Sequence, residues 1–415
     1  MKVGMIGLGK LGLPVAIAID MHKHDVMGYD INPDVMQKNK CFYKEVGPNN
    51  EESIEPFLQK SNLKFGTISE VVNHSEIIFL AVQTPHEEKY EGITPLPYER
   101  VDFNYKYLLE AFQSVSDEAL KQKKEIVIVV ISTVLPGTFR NKIVPLSNNY
   151  IKLCYNPFFI AMGTTMPDYL NPEFVLFGVW DNDAASKAEK FYKSIHKKPF
   201  YKTSVENAEL IKVTYNTFIG MKIAFANTIM EICHNTPGSN VDEVTDALKM
   251  ANDRLISPRY LTAGMGDGGG CHPRDNIALS WLAKEKNLSY DFFESMMLAR
   301  EKQSLWLVDL MCQHRLPKVI LGKAFKPETH ITLGSPSILC QNFLENRGHD
   351  VLIYDPYVDK EKPDFIKSVF LIGTKHSIFK DFDFPEGSVV IDPWRYIPDS
   401  DKIHLIRVGD RSKEI

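Results

Sequence analysis

Cysteine is scarce in this chain: six in 415 residues, at Cys41, Cys154, Cys233, Cys271, Cys312 and Cys340, with no C-x-x-C pair and no clustering with histidine. That scatter argues against a disulfide framework and a structural zinc site, and no metal is expected. Five of the six read as inert buried thiols. Positive charge is also in short supply, since 48 Lys and Arg against 53 Asp and Glu leave a net charge of −5. No general electrostatic pull toward nucleic acid or an anionic membrane follows, and neither is expected as a partner. Long apolar runs are missing too. The opening MKVGMIGLGKLGLPVAIAID is apolar but glycine-rich, lacks a small-residue cleavage site, and is too short before Asp20 to cross a bilayer. It reads as folded protein in the cytoplasm. No repeat at a solenoid period and no low-complexity tract is visible.

What the chain does have is strand-helix alternation. The runs KVGMIG and HDVMGYD flank a helical stretch from Leu11 to about Met21, and SEIIFLAV, EIVIVVIST, IKLCYNP and EFVLFGV follow at intervals filled by helix or turn. Buried strands alternating with helices predict a mostly parallel sheet. From about Ser204 the pattern changes. VENAELIKVTYNTFIGMKIAFANTIMEICHN has helical periodicity and only Gly220 to interrupt it before Pro237, so a long helix is expected, with three more helical stretches behind it. After Pro317 the strands return with KVILGKAF, HDVLIYDP, SVFLIGT, SVVIDPW and KIHLIRV, around a helix from Ser337 to Asn346. The expected class is α/β: two Rossmann-like parallel-sheet domains, residues 1–203 and 316–415, joined by a helical middle domain, 204–315, with a long central helix.

Gly7-Leu8-Gly9-Lys10-Leu11-Gly12 is G-x-G-x-x-G at a strand-to-helix junction. Such glycines permit a tight turn, close approach of a pyrophosphate to the backbone and tight helix packing, while the helix N-terminus attracts phosphate. Asp30 ends the second strand, placed to hydrogen-bond the adenosine ribose and repel a 2′-phosphate, which favours NAD over NADP. Val82-Gln83-Thr84-Pro85 and Ser132-Thr133-Val134-Leu135-Pro136-Gly137-Thr138 follow strands, where loops line the ligand crevice of open α/β sheets, although ordinary turns read the same way. Glu209, Lys212 and Asn216 lie at i, i+3 and i+7 of the long helix, with Lys212 and Asn216 on one face. A solvated surface is the usual meaning of such a trio. Cys271 follows GMGDGGG and precedes a helical segment, so its sulfur is expected near a helix N-terminus, where the dipole favours thiolate. Asp275 comes one turn later. A glycine run lets a bulky ligand approach the backbone. A thiolate beside a nicotinamide suggests oxidation of an alcohol or aldehyde through a covalent thioester.

Taken together, GLGKLG, VQTP, STVLPGT, AELIKVTYNTF, GMGDGGGCHPRD, LGKAFKPET and YDPYV, in this order from Val3 to about Arg395, resemble the nucleotide-sugar 6-dehydrogenases of the UDP-glucose and GDP-mannose dehydrogenase type. The resemblance implies oxidation of a sugar C6 alcohol to a carboxylate by two NAD molecules. Cys271 would capture the aldehyde as a thiohemiacetal, and water would hydrolyse the thioester that follows. Lys212 matches the lysine that stabilises the C6 oxygen, a role worth roughly 3 kcal/mol for one oxyanion donor. Asn216 matches its hydrogen-bonding partner, Asp275 the aspartate that positions or deprotonates water, and Thr133 a threonine near that water. The cofactor would lie on the first domain against Gly7 to Gly12, Asp30, Thr84, Pro85, Ser132 and Thr133. The nucleotide would lie on the third, contacted by Phe325 and Lys326 and wrapped by Tyr260 to Gly268, Gly266 included. Arg254 resembles an arginine that reaches substrate in a neighbouring subunit, which implies a homodimer or larger homo-oligomer.

The chain departs from that pattern at three places. The family's N-P-E-F-L reads Asn156-Pro157-Phe158-Phe159-Ile160 here, a second glutamate is Met162, and D-D-T-R-E-S-P reads His330-Ile331-Thr332-Leu333-Gly334-Ser335-Pro336. Neither Phe158 nor Met162 can carry a proton, which leaves water activation to Asp275, to Thr133 with a bound water, or to a residue such as His272. Three readings stay open: a complete four-electron dehydrogenase, a two-electron β-hydroxyacid-type dehydrogenase, and a nucleotide-sugar-binding protein without turnover. CHPRD stands closer to the C-F-P-K-D of the glucose and mannose branch than to the C-I-P-x-D-P of the N-acetylhexosamine branch. UDP-glucose is thus the first expectation, with UDP-N-acetylhexosamine and UDP-galactose as alternates, and the product would be a uronic acid donor for polysaccharide or capsule synthesis.

Overall fold

The computed structural model describes residues 1–36, 45–85, 87–255, 257 and 259–410, without the side chains of Glu88 and Arg254. The chain forms two compact units, one of residues 1–85 and 103–213, the other of 86–102 and 214–415. The division falls inside the long helix, Val205–His234.

The first unit is built on β1 (Lys2–Ile6), β2 (Asp25–Tyr29), β3 (Lys64–Phe65), β4 (Ile77–Leu80), β5 (Ile126–Val130), β6 (Ile151–Tyr155), β7 (Val175–Val179) and β8 (Phe200–Thr203). Their order is β3-β2-β1-β4-β5-β6-β7-β8, whose first six positions follow the 3-2-1-4-5-6 order of dinucleotide-binding sheets. Pairing is parallel except between β6 and β7. The expected strands form within a residue or two of their apolar runs. The sequence signal omitted β3, only two residues long, and β8, whose Tyr201 and Lys202 are exposed. Burial explains the helix behind β1: Gly12–Met21 is apolar on nearly every side because it lies in the core with Val15, Ile17 and Ile19 fully enclosed. The helix Asn182–Lys193 is amphipathic instead, and Asp181 caps it by accepting from the N–H groups of Asp183 and Ala184. Phe79, Phe177 and Phe191, fully buried, fill the centre.

The second unit pairs helices with a five-stranded parallel sheet: β9 (Lys318–Leu321), β10 (Val351–Tyr354), β11 (Val369–Ile372), β12 (Val389–Asp392) and β13 (His404–Arg407), in the order β10-β9-β11-β12-β13. One apolar cluster joins Met230 of the long helix, Leu307 and Met311 of the helix Phe292–Cys312, and Ile320, Leu371 and Ile391 of the sheet. The boundary read at 315/316 therefore runs through a continuous core. Residues 86–102 belong here as well. Gly92 and Ile93 offer their carbonyls to Arg300 and Asn342, and Tyr90 packs with Ile277 and Met297.

Candidate active site

The glycine fingerprint divides its labour. Gly7 holds φ at +91°, and a Cβ there would stand 2.5 Å from the Ala81 carbonyl oxygen; one on Gly12 would stand 1.8 Å from that of Gly7. Both positions exclude any side chain. Gly9 has no heavy atom within 4 Å of the corresponding point, so the middle of the turn is open to an incoming group. Asp30 accepts from the Leu8 N–H at 2.7 Å through one oxygen and from the Asn32 N–H at 2.8 Å through the other, which fixes the carboxylate beside the turn. A cradle of open backbone ending in a helix N-terminus, with an acid beside it, fits a dinucleotide carrying a free ribose diol. On the neighbouring strands, Thr84 donates to the Thr133 carbonyl at 2.8 Å and Ser132 to the Val82 carbonyl at 2.5 Å. The two loops expected on the nicotinamide side, VQTP and STVLPGT, are thereby tied together at the carboxyl ends of β4 and β5.

On the long helix, Lys212 is buried and donates to the Phe158 carbonyl oxygen at 2.7 Å, with the Phe159 ring centre 5.2 Å from its ammonium. The Phe158 ring itself packs against Tyr169, centroids 5.6 Å apart, at the edge of the core. At the position where the family pattern carries a glutamate, the Phe158 side chain is used for packing and its main chain receives the lysine. Glu209, one turn earlier, accepts at 2.7 Å from the N–H groups of both Gly137 and Phe139. It is wholly buried, not the surface residue its spacing suggested.

In the second unit, Cys271 caps the helix His272–Glu285 at its N-terminus and is part-exposed. By contrast, Cys154 and Cys340 are fully enclosed, and burial pushes both thiols up to about 12. Cys233 is buried too, Cys312 is half-buried 3.5 Å from His349, and Cys41 lies outside the described residues. Among the described residues, Cys271 is thus the thiol placed where a helix dipole and solvent access coincide. Asp275 sits one turn in, its N–H on the Cys271 carbonyl at 2.8 Å. Its carboxylate, with no exposure, takes Asn216 Nδ2 at 2.7 Å on one oxygen and Arg274 Nε and Nη2 at 3.1 and 3.0 Å on the other. Asn216 is therefore brought to Asp275. Beside this pair Thr217 donates to Asn276 at 2.8 Å, locking the long helix to the Cys271 helix.

The run Gly268 to Gly270 has an intramolecular reason as well as the one read from the sequence. A Cβ on Gly269, whose φ is +87°, would lie 3.0 Å from the Phe325 ring; one on Gly268 would lie 3.0 Å from Phe325 Cβ, and one on Gly270 2.3 Å from Leu333. The run packs against the loop that carries Phe325 and Lys326. Gly266 has only ordinary contacts, and Tyr260, at φ +64°, is 45% exposed. The Arg254 side chain lies outside the described structure. Two residues gave no signal in sequence. Arg300, buried, donates to the carbonyls of Asp267, Gly92 and Gly334 at 2.5, 2.9 and 3.1 Å, pinning three loops around the glycine run. Asp267, also buried, holds His272 Nδ1 at 2.6 Å. Among the described residues no cluster of His, Cys, Asp and Glu is arranged to hold a metal, and no helix is long and apolar enough to cross a membrane.

Comparison with known proteins places these features. Residues 1–196 match the NAD binding domain, and residues 206–301 the central domain, of the UDP-glucose/GDP-mannose dehydrogenase family. A UDP-glucose 6-dehydrogenase of Bacillus subtilis is 28% identical over 375 residues, covering 86% of this chain and 80% of its own. The GDP-mannose 6-dehydrogenase of Pseudomonas aeruginosa is 27% identical over 377 residues, 86% and 82% of the two chains. In fold, a UDP-glucose dehydrogenase from Pyrobaculum islandicum superimposes with a TM-score of 0.86 at 24% identity, over 98% of this chain and 97% of that one. The dinucleotide cradle and the cysteine-bearing helix thus fall in the two matched domains, and the chain belongs to the UDP-glucose/GDP-mannose dehydrogenase family of NAD-dependent nucleotide-sugar dehydrogenases.

Proposed function

We propose that the protein carries out the four-electron oxidation of a nucleotide sugar at C6, with UDP-glucose as substrate and UDP-glucuronate as product. The observation that carries this reading is the part-exposed Cys271 at the N-cap of a 14-residue helix, with Asp275 one turn in and held by Asn216. An enzyme that stopped at the aldehyde would have no use for a nucleophile so placed. NAD, when bound, accepts the hydrides. In this reading Lys212 holds the C6 oxygen as negative charge develops on it, Cys271 adds to the aldehyde carbon, and Thr133 and Asp275 position water for the thioester. Phe325, Lys326, Gly266, Gly268, Tyr260 and Arg254 contact the substrate. The second unit then carries both the dimerisation role expected of 204–315 and the nucleotide-sugar role expected of 316–415, and the first carries the cofactor role expected of 1–203.

The test is to supply purified protein with NAD and a panel of UDP and GDP sugars and to count NADH per sugar consumed. Two NADH with free uronate on UDP-glucose is the expected result; one NADH with an aldehyde product would sink the reading. Cys271→Ala is expected to abolish uronate formation and leave NAD binding, followed by protein fluorescence, within about twofold, since no group of the dinucleotide cradle changes.

A further inference from the structure

Asp275 has both carboxylate oxygens engaged, by Asn216 on one side and Arg274 on the other. A carboxylate engaged on both oxygens in that way is held in place to position its neighbours. Next to it is a second pair. The segment from Asp267 to His272 closes on itself: His272 Nδ1 meets Asp267 Oδ1 at 2.6 Å, and the loop so formed contains the glycine run and Cys271. Asp267 lies against the long helix at Gly220, where a Cβ would stand 2.6 Å from its second oxygen. Gly220 is one turn beyond Asn216, so the helix face that holds Asp275 also seats Asp267. The Asp267 backbone is fixed in turn by Arg300. The result is an imidazole oriented by a buried carboxylate, one residue from the proposed nucleophile.

We propose that His272, oriented by Asp267, is the general base for thioester hydrolysis; this rests on the four-electron reading above. A carboxylate on Nδ1 selects the tautomer that carries its proton there and puts the basic lone pair on Nε2. Side chains at i and i+1 of a helix diverge by about 100°, so His272 does not face the Cys271 sulfur, and it acts on the acyl group across one water. In that step Nε2 takes a proton from water, the water oxygen bonds to the thioester carbonyl carbon, and the carbon–sulfur bond breaks with its electron pair left on Cys271 sulfur. The carboxylic acid then loses its proton to solvent, and the imidazolium likewise releases its proton to solvent, which leaves Cys271 as the thiolate and His272 neutral. No oxidant is consumed.

The experiment compares wild type, His272→Asn, His272→Ala and Asp267→Asn on UDP-glucose with NAD, by rapid-mixing NADH absorbance, intact-protein mass and iodoacetamide labelling of Cys271. The Asn side chain keeps a donor to Asp267 but is no base. His272→Asn is therefore expected to match His272→Ala, with steady-state turnover down about 100-fold or more, a retained burst of two NADH per active site, and a uronyl mass accumulating on Cys271. Asp267→Asn is expected to accumulate the same adduct. Alkylation of Cys271 without substrate should stay at the wild-type rate. Turnover of His272→Asn at the wild-type level, restored function in Asn but not in Ala, or loss of the burst with slowed alkylation would each overturn the assignment in favour of a spectator, a structural or a thiol-activating histidine. A wild-type enzyme that yields one NADH per sugar and no adduct on Cys271 would instead remove the four-electron reading, and this assignment with it.

Discussion

Glu209 is a buried carboxylate that accepts two backbone N–H groups at 2.7 Å. Burial pushes it up to about 7, more strongly than those two donors pull it down; Glu206 nearby raises it further, and Arg140, paired with Glu206 at 2.6 Å, lowers it. Since the folded value lies above the ordinary carboxylate value, the native state binds the proton more tightly than the unfolded chain. The stabilisation is complete below about 4.5 and is lost as pH rises toward 7. Glu209→Gln imitates the protonated form, so its stability relative to wild type should improve between pH 5 and pH 8 by on the order of 3 kcal/mol, measured by urea unfolding. Parallel pH profiles for the two proteins would contradict this. At this scale Cys271 and Asp30 stood out in the sequence because one follows a glycine run and the other ends a strand, whereas Lys212 stood out only through the family resemblance. Glu209 and Asp267 were not, because their partners lie 70 residues away or across a turn whose path depends on the fold.

At the scale of elements, the loop before the Cys271 helix is shaped by neighbours, since Gly269 at φ +87° meets the Phe325 ring and Gly334 at φ +66° approaches the Gly269 carbonyl to 2.2 Å of a would-be Cβ. Arg300 completes the arrangement with its three carbonyl acceptors. A lysine cannot reproduce a planar fork with that reach. Arg300→Lys should therefore cost about 1–3 kcal/mol through unpaired buried carbonyls, against less than about 0.5 kcal/mol for the exposed Lys302→Ala, in thermal or denaturant melts. Equal losses would mean that the guanidinium contributes only its bulk. The long helix was readable from its periodicity, and the first helix starts within a residue of the expected place; the Cys271 helix starts at His272, ahead of the helical stretch DNIALSWLAKEKN read from the sequence. β8 was not, because an exposed four-residue strand at a sheet edge carries no burial pattern.

At the scale of the whole molecule, ligand linkage gives a test of the cofactor side. NAD at about 100 times its dissociation constant should stabilise the unit of residues 1–85 and 103–213 by about 2.7 kcal/mol, seen as a rise in its melting transition. NADP at the same concentration should raise it far less if the Asp30 carboxylate, held beside the glycine turn, meets the ribose as proposed; equal shifts would remove that role from Asp30. The local chemistry of this protein was set by sequence alone: glycines at a strand-to-helix turn, a carboxylate at the end of β2, a thiol at the start of a helix, and the alternation that predicts two parallel sheets. These depend on residues within one or two turns of each other, where stereochemistry and burial period act directly. Tertiary structure decided the rest. It reversed one strand pairing, at β6 and β7, carried residues 86–102 into the second unit, and ran one apolar core through the 315/316 boundary. It also turned Phe158 into packing and closed Asp267 onto His272. Each of these depends on contacts between segments that the order of residues leaves free to meet in several ways, and the burial of apolar surface and of backbone polar groups selects among them.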